Sequence, residues 1–186
     1  MKATSIRLVF ATLLLLCDFA HGQQNNRTIF LVRHAEATSA TSAAPLSPIG
    51  EKRAECLAKT LAESGIKQIY VSDAKPAQQT AAPLAAKLKV TSHILAAKDI
   101  SNTVRNLLFG GTGNTLLITD GDMLPLVVQR LQAGAVSRIG DSEFDRMFVL
   151  SLVDGSSAPA ATLRYCEAVS PAAPATLKRT SLPARK

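Results

Sequence analysis

The stretch "TIFLVRHAEATS", residues 28–39, runs from four aliphatic or aromatic residues straight into Arg33 and His34. A short apolar run without polar alternation is typical of a strand that is covered on both faces of a sheet. The stretch therefore predicts an inner strand over 28–33 that presents an arginine and a histidine at its carboxyl end.

Strand and helix patterns alternate over most of the chain that follows. The predicted elements after the first strand are a helix over 48–64, a strand over 67–73, a helix over 77–89, a strand over 91–96, a helix over 100–110, a strand over 114–120, a helix over 123–134, and two strands joined by a turn around 154–159. Such alternation favours an α/β fold, namely a single-domain three-layer α/β/α sandwich with a mostly parallel sheet. The two most apolar strands, 28–33 and 114–119, are expected to be adjacent inner strands.

The two ends of the chain have compositions unlike the middle. Residues 1–22 carry Lys2 and Arg7 before an apolar run that is too short to span a bilayer, and Ala20 and Gly22 provide small residues for cleavage. This pattern predicts a signal peptide over 1–22, a domain over 23–168, and a basic Pro/Ala-rich tail over 169–186 that we expect to be disordered. The protein is then exported, to the periplasm or the outside of the cell, with no stable membrane anchor after cleavage.

The composition also bears on partners. The formal net charge is +7, but Lys178, Arg179, Arg185 and Lys186 of the tail account for much of the excess. No basic stripe interleaved with aromatic residues is present, so nucleic acid is not expected as a partner. Cys56 and Cys166 remain after processing, and the sequence leaves open whether they are oxidised.

Polar residues follow three of the predicted strands where each one ends: Arg33–His34, Ser72–Asp73 and Asp120–Asp122. Ligands of open α/β sheets bind beyond the carboxyl ends of the strands, so these side chains are predicted to share one pocket. A histidine can act as a nucleophile on phosphorus, and the planar fork of an arginine matches phosphate oxygens. The pattern indicates a site for a small phosphorylated ligand or anion.

Four segments in this order, "FLVRHAEATSA", "LSPIGEKRAECLAKTL", "IYVSDAKPAQQTAAPLA" and "TLLITDGDMLPLVVQRL", resemble the histidine phosphatase (phosphoglycerate-mutase-like) superfamily. The resemblance extends over about residues 28–168. It implies a phosphohistidine mechanism without a cofactor, in which His34 attacks phosphorus and Arg33 holds the phosphoryl oxygens. The segment from Ser72 to Ala81, with "QTA" at its end, is similar to the stretch that carries a second arginine in the family.

The sequence departs from the family pattern at two positions. The second arginine of the family falls on Pro76, and its second histidine falls on Asp120. His93 lies near the start of a predicted strand, at the wrong end of the sheet to replace that histidine. Lys75 is a candidate for the missing positive charge, although a point charge cannot copy the arginine fork.

Two acidic residues have alternative interpretations. Asp99 resembles in position the general acid of some family members, and it equally suits the N-cap of the helix over 100–110. Asp120 and Asp122 together are a candidate site for a divalent cation beside His34.

Three functions follow from these residues. The first is a non-catalytic or weakly active protein that binds a ligand through a degenerate phosphate pocket, in effect a pseudoenzyme. The second is an active phosphomonoester hydrolase that uses His34 as nucleophile. The third is a metal-assisted hydrolase that uses Asp120 and Asp122. Exchanging a cationic histidine for an ionised aspartate changes the pocket by two charge units, which at an effective dielectric constant of about 20 weakens phosphate binding on the order of a hundredfold or more after solvent screening. This charge argument favours the first function.

Overall fold

We analysed a computed structural model of the protein, which describes residues 26–166. The predicted signal peptide and the predicted basic tail therefore lie outside the described residues. The elements in chain order are β1 (Arg27–Arg33), α1 (Pro48–Thr60), β2 (Ile66–Ser72), α2 (Lys75–Leu88), β3 (Ser92–Leu95), α3 (Ile100–Phe109), β4 (Asn114–Thr119), α4 (Met123–Arg130), β5 (Arg146–Val153), β6 (Ser156–Ser157) and β7 (Ala161–Arg164).

The strands form one mixed sheet in the order β3-β2-β4-β1-β5-β6, and β7 also pairs with β5. The β3, β2, β4 and β1 strands are parallel to one another. The prediction that 28–33 and 114–119 are adjacent inner strands is confirmed, because Ile29 pairs with Thr115 and Arg33 with Thr119 in the middle of the sheet.

The sheet stops being parallel at β5, which runs antiparallel to β1. The cause is the segment 131–145 between α4 and β5. Instead of entering the sheet where α4 ends, this segment returns to the carboxyl edge of the parallel strands, where backbone carbonyls of Gly140 and Asp141 accept hydrogen bonds from Arg33. The β5 strand therefore starts at that edge and runs in the opposite direction, and a turn at Asp154 and Gly155 leads into β6.

Helices cover both faces of the sheet. Leu57 of α1 and Leu84 of α2 are buried against the face that includes Val32. Leu107 of α3 and Val127 of α4 are buried against the other face. The described domain is thus the predicted three-layer α/β/α sandwich, and no helix within residues 26–166 is long and apolar enough to cross a membrane.

A disulfide joins the helix α1 to the end of the described chain. Cys56 and Cys166 are bonded with their Cα atoms 6.0 Å apart, across a sequence separation of 110 residues. The bond fixes the segment after β7 against the α1 layer. It also resolves the oxidation state that the sequence left open.

Candidate active site at the carboxyl edge of the sheet

The carboxyl ends of β1 and β4 open into a cleft of about 810 Å³. Arg33, His34 and Asp120 line it together, and Pro76 and Asp122 contribute to its walls. The structure thus brings together the strand-exit residues of β1 and β4 that the sequence singled out. It also places Pro76, at the family's second arginine position, in the wall of the same cleft.

The position of His34 is set by two backbone contacts. Its amide donates to the carbonyl of Thr119 at 3.0 Å, which extends the pairing of β1 with β4 by one residue. Its Nδ1 lies 2.8 Å from the carbonyl oxygen of Ala35. A carbonyl can only accept, so Nδ1 carries a proton and Nε2 is the ring nitrogen that is available for chemistry.

Asp120 occupies the space next to that nitrogen. Its Oδ1 lies 3.4 Å from His34 Nε2. The hydrogen bond from His34 lowers the pKa of the Asp120 carboxyl from its ordinary value, with further help from the charges of Arg33 and Lys98 and against the opposing effect of burial. Asp120 is consequently an anion at neutral pH, and the contact is favourable when Nε2 carries a proton. A protonated Nε2 has no lone pair with which to attack phosphorus.

The "QTA" segment fixes α2 against the histidine loop. Thr80 is fully buried, accepts a hydrogen bond from the amide of Ala35 at 2.9 Å, and donates to the carbonyl of Pro76 at 2.7 Å. Gln79 accepts from the amide of Leu46 through its side-chain oxygen. These contacts give the segment a structural role, since they position the start of α2 beside His34 whether or not an arginine is present there.

Glu36, the acidic residue of the "RHAE" motif, forms an ion pair with Arg53 of α1. Both of its carboxylate oxygens accept from Arg53 of α1 at 2.7 to 3.0 Å, and the Arg53 side chain is only 1% exposed. Burial alone would lower the pKa of Arg53, but the hydrogen bonds and charge of Glu36 outweigh it and raise that pKa. The start of α1 approaches the same loop so closely that a Cβ at Gly50 would lie 2.0 Å from the Glu36 carbonyl oxygen. The loop after His34 is therefore held firmly against α1.

Arg33 is largely committed to the protein itself. Its Nη1 donates to the carbonyls of Gly140, Asp141 and Glu143, and its guanidinium carbon lies 4.1 Å from the centre of the Phe144 ring. Its Nε is buried without a hydrogen-bond partner among residues 26–166. Burial lowers the pKa of Arg33 from its ordinary value, and nearby carboxylates oppose this effect. Only part of this guanidinium remains available for a ligand.

Five residues considered from the sequence do not line the cleft. Two of them, Ser72 and Asp73 at the end of β2, were predicted to share the pocket; Ser72 is instead buried, and Asp73 accepts from the amide of Ala97. Asp99 is the N-cap of α3, where its carboxylate accepts from the amide of Asn102 at 2.9 Å. Lys75 begins α2, and the cleft wall includes Ala74 and Pro76 on either side of it but not Lys75. The ring of His93 packs against Tyr70 with centroids 5.5 Å apart, on the edge strand β3. Their positions give no support to a general acid at Asp99 or to phosphate binding by Lys75.

Other lining residues were missed by sequence reasoning. Arg138, Asp141 and Phe144 come from the segment 131–145, and hydroxyl groups come from Ser39, Thr41 and Ser42 of the loop after β1. The helix was predicted to reach residue 134, whereas α4 ends at Arg130. Residues 135–145 have no helix or strand periodicity, so nothing in their pattern indicates that the chain returns to the active edge. The "ATSATS" composition does signal a polar loop next to His34, and this was the one available sign.

A metal site is not assembled in the part of the chain that the structure describes. Within residues 26–166 no group of three or more His, Cys, Asp and Glu side chains has the arrangement to hold an ion. Asp122 lies at the start of α4 and lines the cleft, whereas the Asp120 carboxylate faces His34 Nε2 at 3.4 Å. Asp141 also lines the cleft, but among residues 26–166 these three carboxylates do not form a group that could hold an ion.

Comparison with known proteins agrees with this geometry. Residues 29–97 match the sequence model of the histidine phosphatase superfamily (branch 1). The protein histidine phosphatase SixA in complex with tungstate superposes with a TM-score of 0.62 at 18% identity, covering 74% of this chain and 96% of the other.

Two further solved structures superpose over a similar share of the chain. The alpha-ribazole phosphatase from Shigella flexneri gives a TM-score of 0.60 at 15% identity, covering 74% of this chain and 96% of its own. A mycobacterial glucosyl-3-phosphoglycerate phosphatase gives 0.53 at 13% identity, covering 75% of this chain and 98% of its own.

The protein has the histidine phosphatase fold, and its residues 29–97 carry the sequence pattern of the histidine phosphatase superfamily. The match covers three of the four sequence segments from which the family resemblance was drawn, and the fourth, 115–131, lies beyond the matched residues. The identification extends to the fold of the described domain and to the residues of the matched range, which include Arg33, His34 and Pro76 but not Asp120.

Proposed function

We propose that this is an exported protein that binds a small phosphorylated ligand or related anion in the cleft of Arg33 and His34 and hydrolyses it slowly or not at all. The observation that carries the proposal is the Asp120 carboxylate 3.4 Å from His34 Nε2. It bears on both requirements of a phosphohistidine mechanism, a free lone pair on the nucleophile and positive charge around the phosphoryl group.

The nucleophile is affected first. With Nδ1 donating to the Ala35 carbonyl and Nε2 next to an ionised carboxylate, both ring nitrogens have acceptors as partners. The contact with Asp120 is favourable only when Nε2 carries a proton, and a protonated Nε2 has no lone pair for attack on phosphorus. Attack on phosphorus requires that Nε2 lose its proton while it remains beside the negative charge of Asp120.

The electrostatic environment is affected as well. Phosphoryl transfer depends on preorganised positive charge around the transferring group. In this cleft Asp120 adds negative charge, Pro76 offers no side-chain donor, and Arg33 spends Nη1 on three carbonyls. These features support weak binding of a phosphate dianion and poor stabilisation of the transition state.

An active phosphomonoester hydrolase is the second candidate, and one specific observation favours it. The bond from Nδ1 to the Ala35 carbonyl orients Nε2 toward the cleft, as a phosphorus nucleophile requires. If Asp120 rotates away when a substrate enters, His34 retains the orientation needed to form a phosphohistidine.

Export has independent support from the disulfide. Bonds such as Cys56–Cys166 persist in oxidising compartments, including the periplasm and the outside of the cell, and are rare in the cytosol. Together with the sequence pattern over residues 1–22, this favours a periplasmic or secreted protein. Mass spectrometry of the exported product should give a chain that starts at Gln23; an intact Met1 in a cytoplasmic product would contradict the proposal.

The activity proposal is tested by restoring the two family residues. The double variant Asp120→His, Pro76→Arg should hydrolyse an aryl phosphomonoester at least about a hundredfold faster than the wild type, because it returns positive charge to the cleft. Pro76 lies in the first turn of α2, where a proline contributes no helical hydrogen bond, so arginine is compatible with the local backbone.

The matched control adds His34→Ala to the repaired protein and should abolish the gain. Circular dichroism and thermal melting of every variant establish that each one is folded. A folded double variant with no gain in rate would contradict the claim that charge limits the wild type.

A further inference from the structure

Arg138 is a cation of the cleft whose guanidinium makes no hydrogen bond or ion pair within residues 26–166. It lies in the segment 131–145, its side chain is exposed, and it lines the same cleft as Arg33 and His34. An arginine is always charged in proteins and presents five donors in a planar fork. The Arg138 guanidinium is therefore available to a ligand.

The backbone that carries Arg138 is fixed on both sides. Arg146 donates to the carbonyls of Ser137 and Arg138, and the next residue, Ile139, is 3% exposed in the core. Beyond it, the carbonyls of Gly140 and Asp141 accept from Arg33. A free side chain on an anchored backbone loses less conformational entropy when it orders around a ligand than one on a mobile loop would.

The support of this segment is itself built from ion pairs. Glu143 binds both Arg146 and Arg164 at 2.7 Å, and Arg164 also binds Asp145 at 2.5 Å. Glu143 and Asp145 are thereby paired with Arg146 and Arg164, and Arg138 takes no part in this network.

We propose that Arg138 is the second phosphoryl-binding arginine of this cleft, supplied by the segment before β5 in place of the arginine that Pro76 replaces. The inference rests on the proposed function, because it assumes that the cleft binds a phosphoryl group. Its fork binds phosphoryl oxygens in the cleft that His34 also lines, and it offsets part of the negative charge that Asp120 brings. The ligand class is a phosphomonoester or inorganic phosphate.

The experiment is calorimetric titration of the wild type and three variants with inorganic phosphate at pH 7. Arg138→Ala should weaken binding about 10- to 100-fold, as expected for loss of hydrogen bonds to a charged group. Arg138→Lys should recover only part of the affinity, since it restores the charge but not the fork. Arg130→Ala removes an equal charge from the last turn of α4, outside the cleft lining, and should leave binding within about twofold.

The outcomes separate this inference from the proposed function. If the wild type binds phosphate and Arg138→Ala is no weaker than Arg130→Ala, the role of Arg138 is wrong while the phosphate cleft stands. If neither the wild type nor any variant binds phosphate at tens of millimolar, both the proposed function and this inference are overturned.

Discussion

Replacing Asp120 with asparagine keeps the shape of the side chain and removes its charge from the space next to His34. At about 4.5 Å and an effective dielectric constant of about 20, a unit charge at this position opposes each charge of a bound oxyanion by roughly 4 kcal/mol. The Asp120 side chain is 40% exposed, so solvent reduces this value to about a third, which corresponds to roughly tenfold in affinity. We expect Asp120→Asn to bind tungstate about tenfold more tightly than the wild type.

The assay is isothermal titration with tungstate at low and at physiological salt. Asp154→Asn is the matched control, because Asp154 lies in the turn after β5 at the opposite end of the sheet and asparagine tolerates its positive φ of 50°. The control should leave the affinity unchanged. Equal affinities of Asp120→Asn and the wild type, or weaker binding by the variant, would refute the electrostatic reasoning about this cleft.

Three further predictions concern the scaffold and its pH dependence. Arg53→Met should lower the free energy of unfolding by about 3 to 5 kcal/mol, because it leaves Glu36 without its buried partner. The control Lys52→Met, on the exposed side of α1, should change the free energy of unfolding by less than about 0.5 kcal/mol in the same urea denaturation assay. Equal effects of the two variants would show that the Arg53–Glu36 pair is dispensable. Removing the disulfide by Cys56→Ser with Cys166→Ser should cost about 2 to 4 kcal/mol in the same assay, and an unchanged urea midpoint would contradict its role in fixing the end of the chain. Folding lowers the pKa of the Asp120 carboxyl below its ordinary value of 3.8, so its ionised form adds stability above about pH 4 that is lost as the pH falls further. The difference in free energy of unfolding between the wild type and Asp120→Asn should therefore shrink from pH 5 to pH 3. A difference that grows over this range would contradict the sign of this linkage.

The fold was accessible from sequence because its signals are local. The unbroken apolar runs of β1 and β4 predicted inner strands, and both lie in the middle of the sheet. Ser47 followed by Pro48 predicted the start of α1, and Ser47 does accept a hydrogen bond from the amide of Gly50. Side-chain period and capping are properties of a few consecutive residues, so a single sequence carries them.

The antiparallel half of the sheet was not accessible in the same way. The direction of β5 depends on the path of the irregular segment 131–145, and that path is held by contacts between residues about 110 apart, such as Arg33 with the Glu143 carbonyl. For the same reason Arg138 and Phe144 were not foreseen as cleft residues. Contacts between distant residues have no local pattern, and only the assembled fold reveals them.

The candidate site was likewise predictable from the sequence only in part. Arg33, His34 and Asp120 were placed in one cleft because strand ends meet at one edge of a parallel sheet. The roles suggested for Asp99 and Lys75 depended on where exposed side chains at helix starts would point. Asp99 instead caps α3, as its alternative interpretation held.

The most direct test of the central claim is the metal-free hydrolysis rate of an aryl phosphomonoester by the mature wild type, measured with a chelator present and beside its His34→Ala variant. A cleft in which Asp120 faces His34 Nε2 predicts a wild-type rate no more than about tenfold above that of the variant. A wild-type rate a thousandfold or more above that of His34→Ala would show that His34 works as a nucleophile with the residues it has, and would contradict the account.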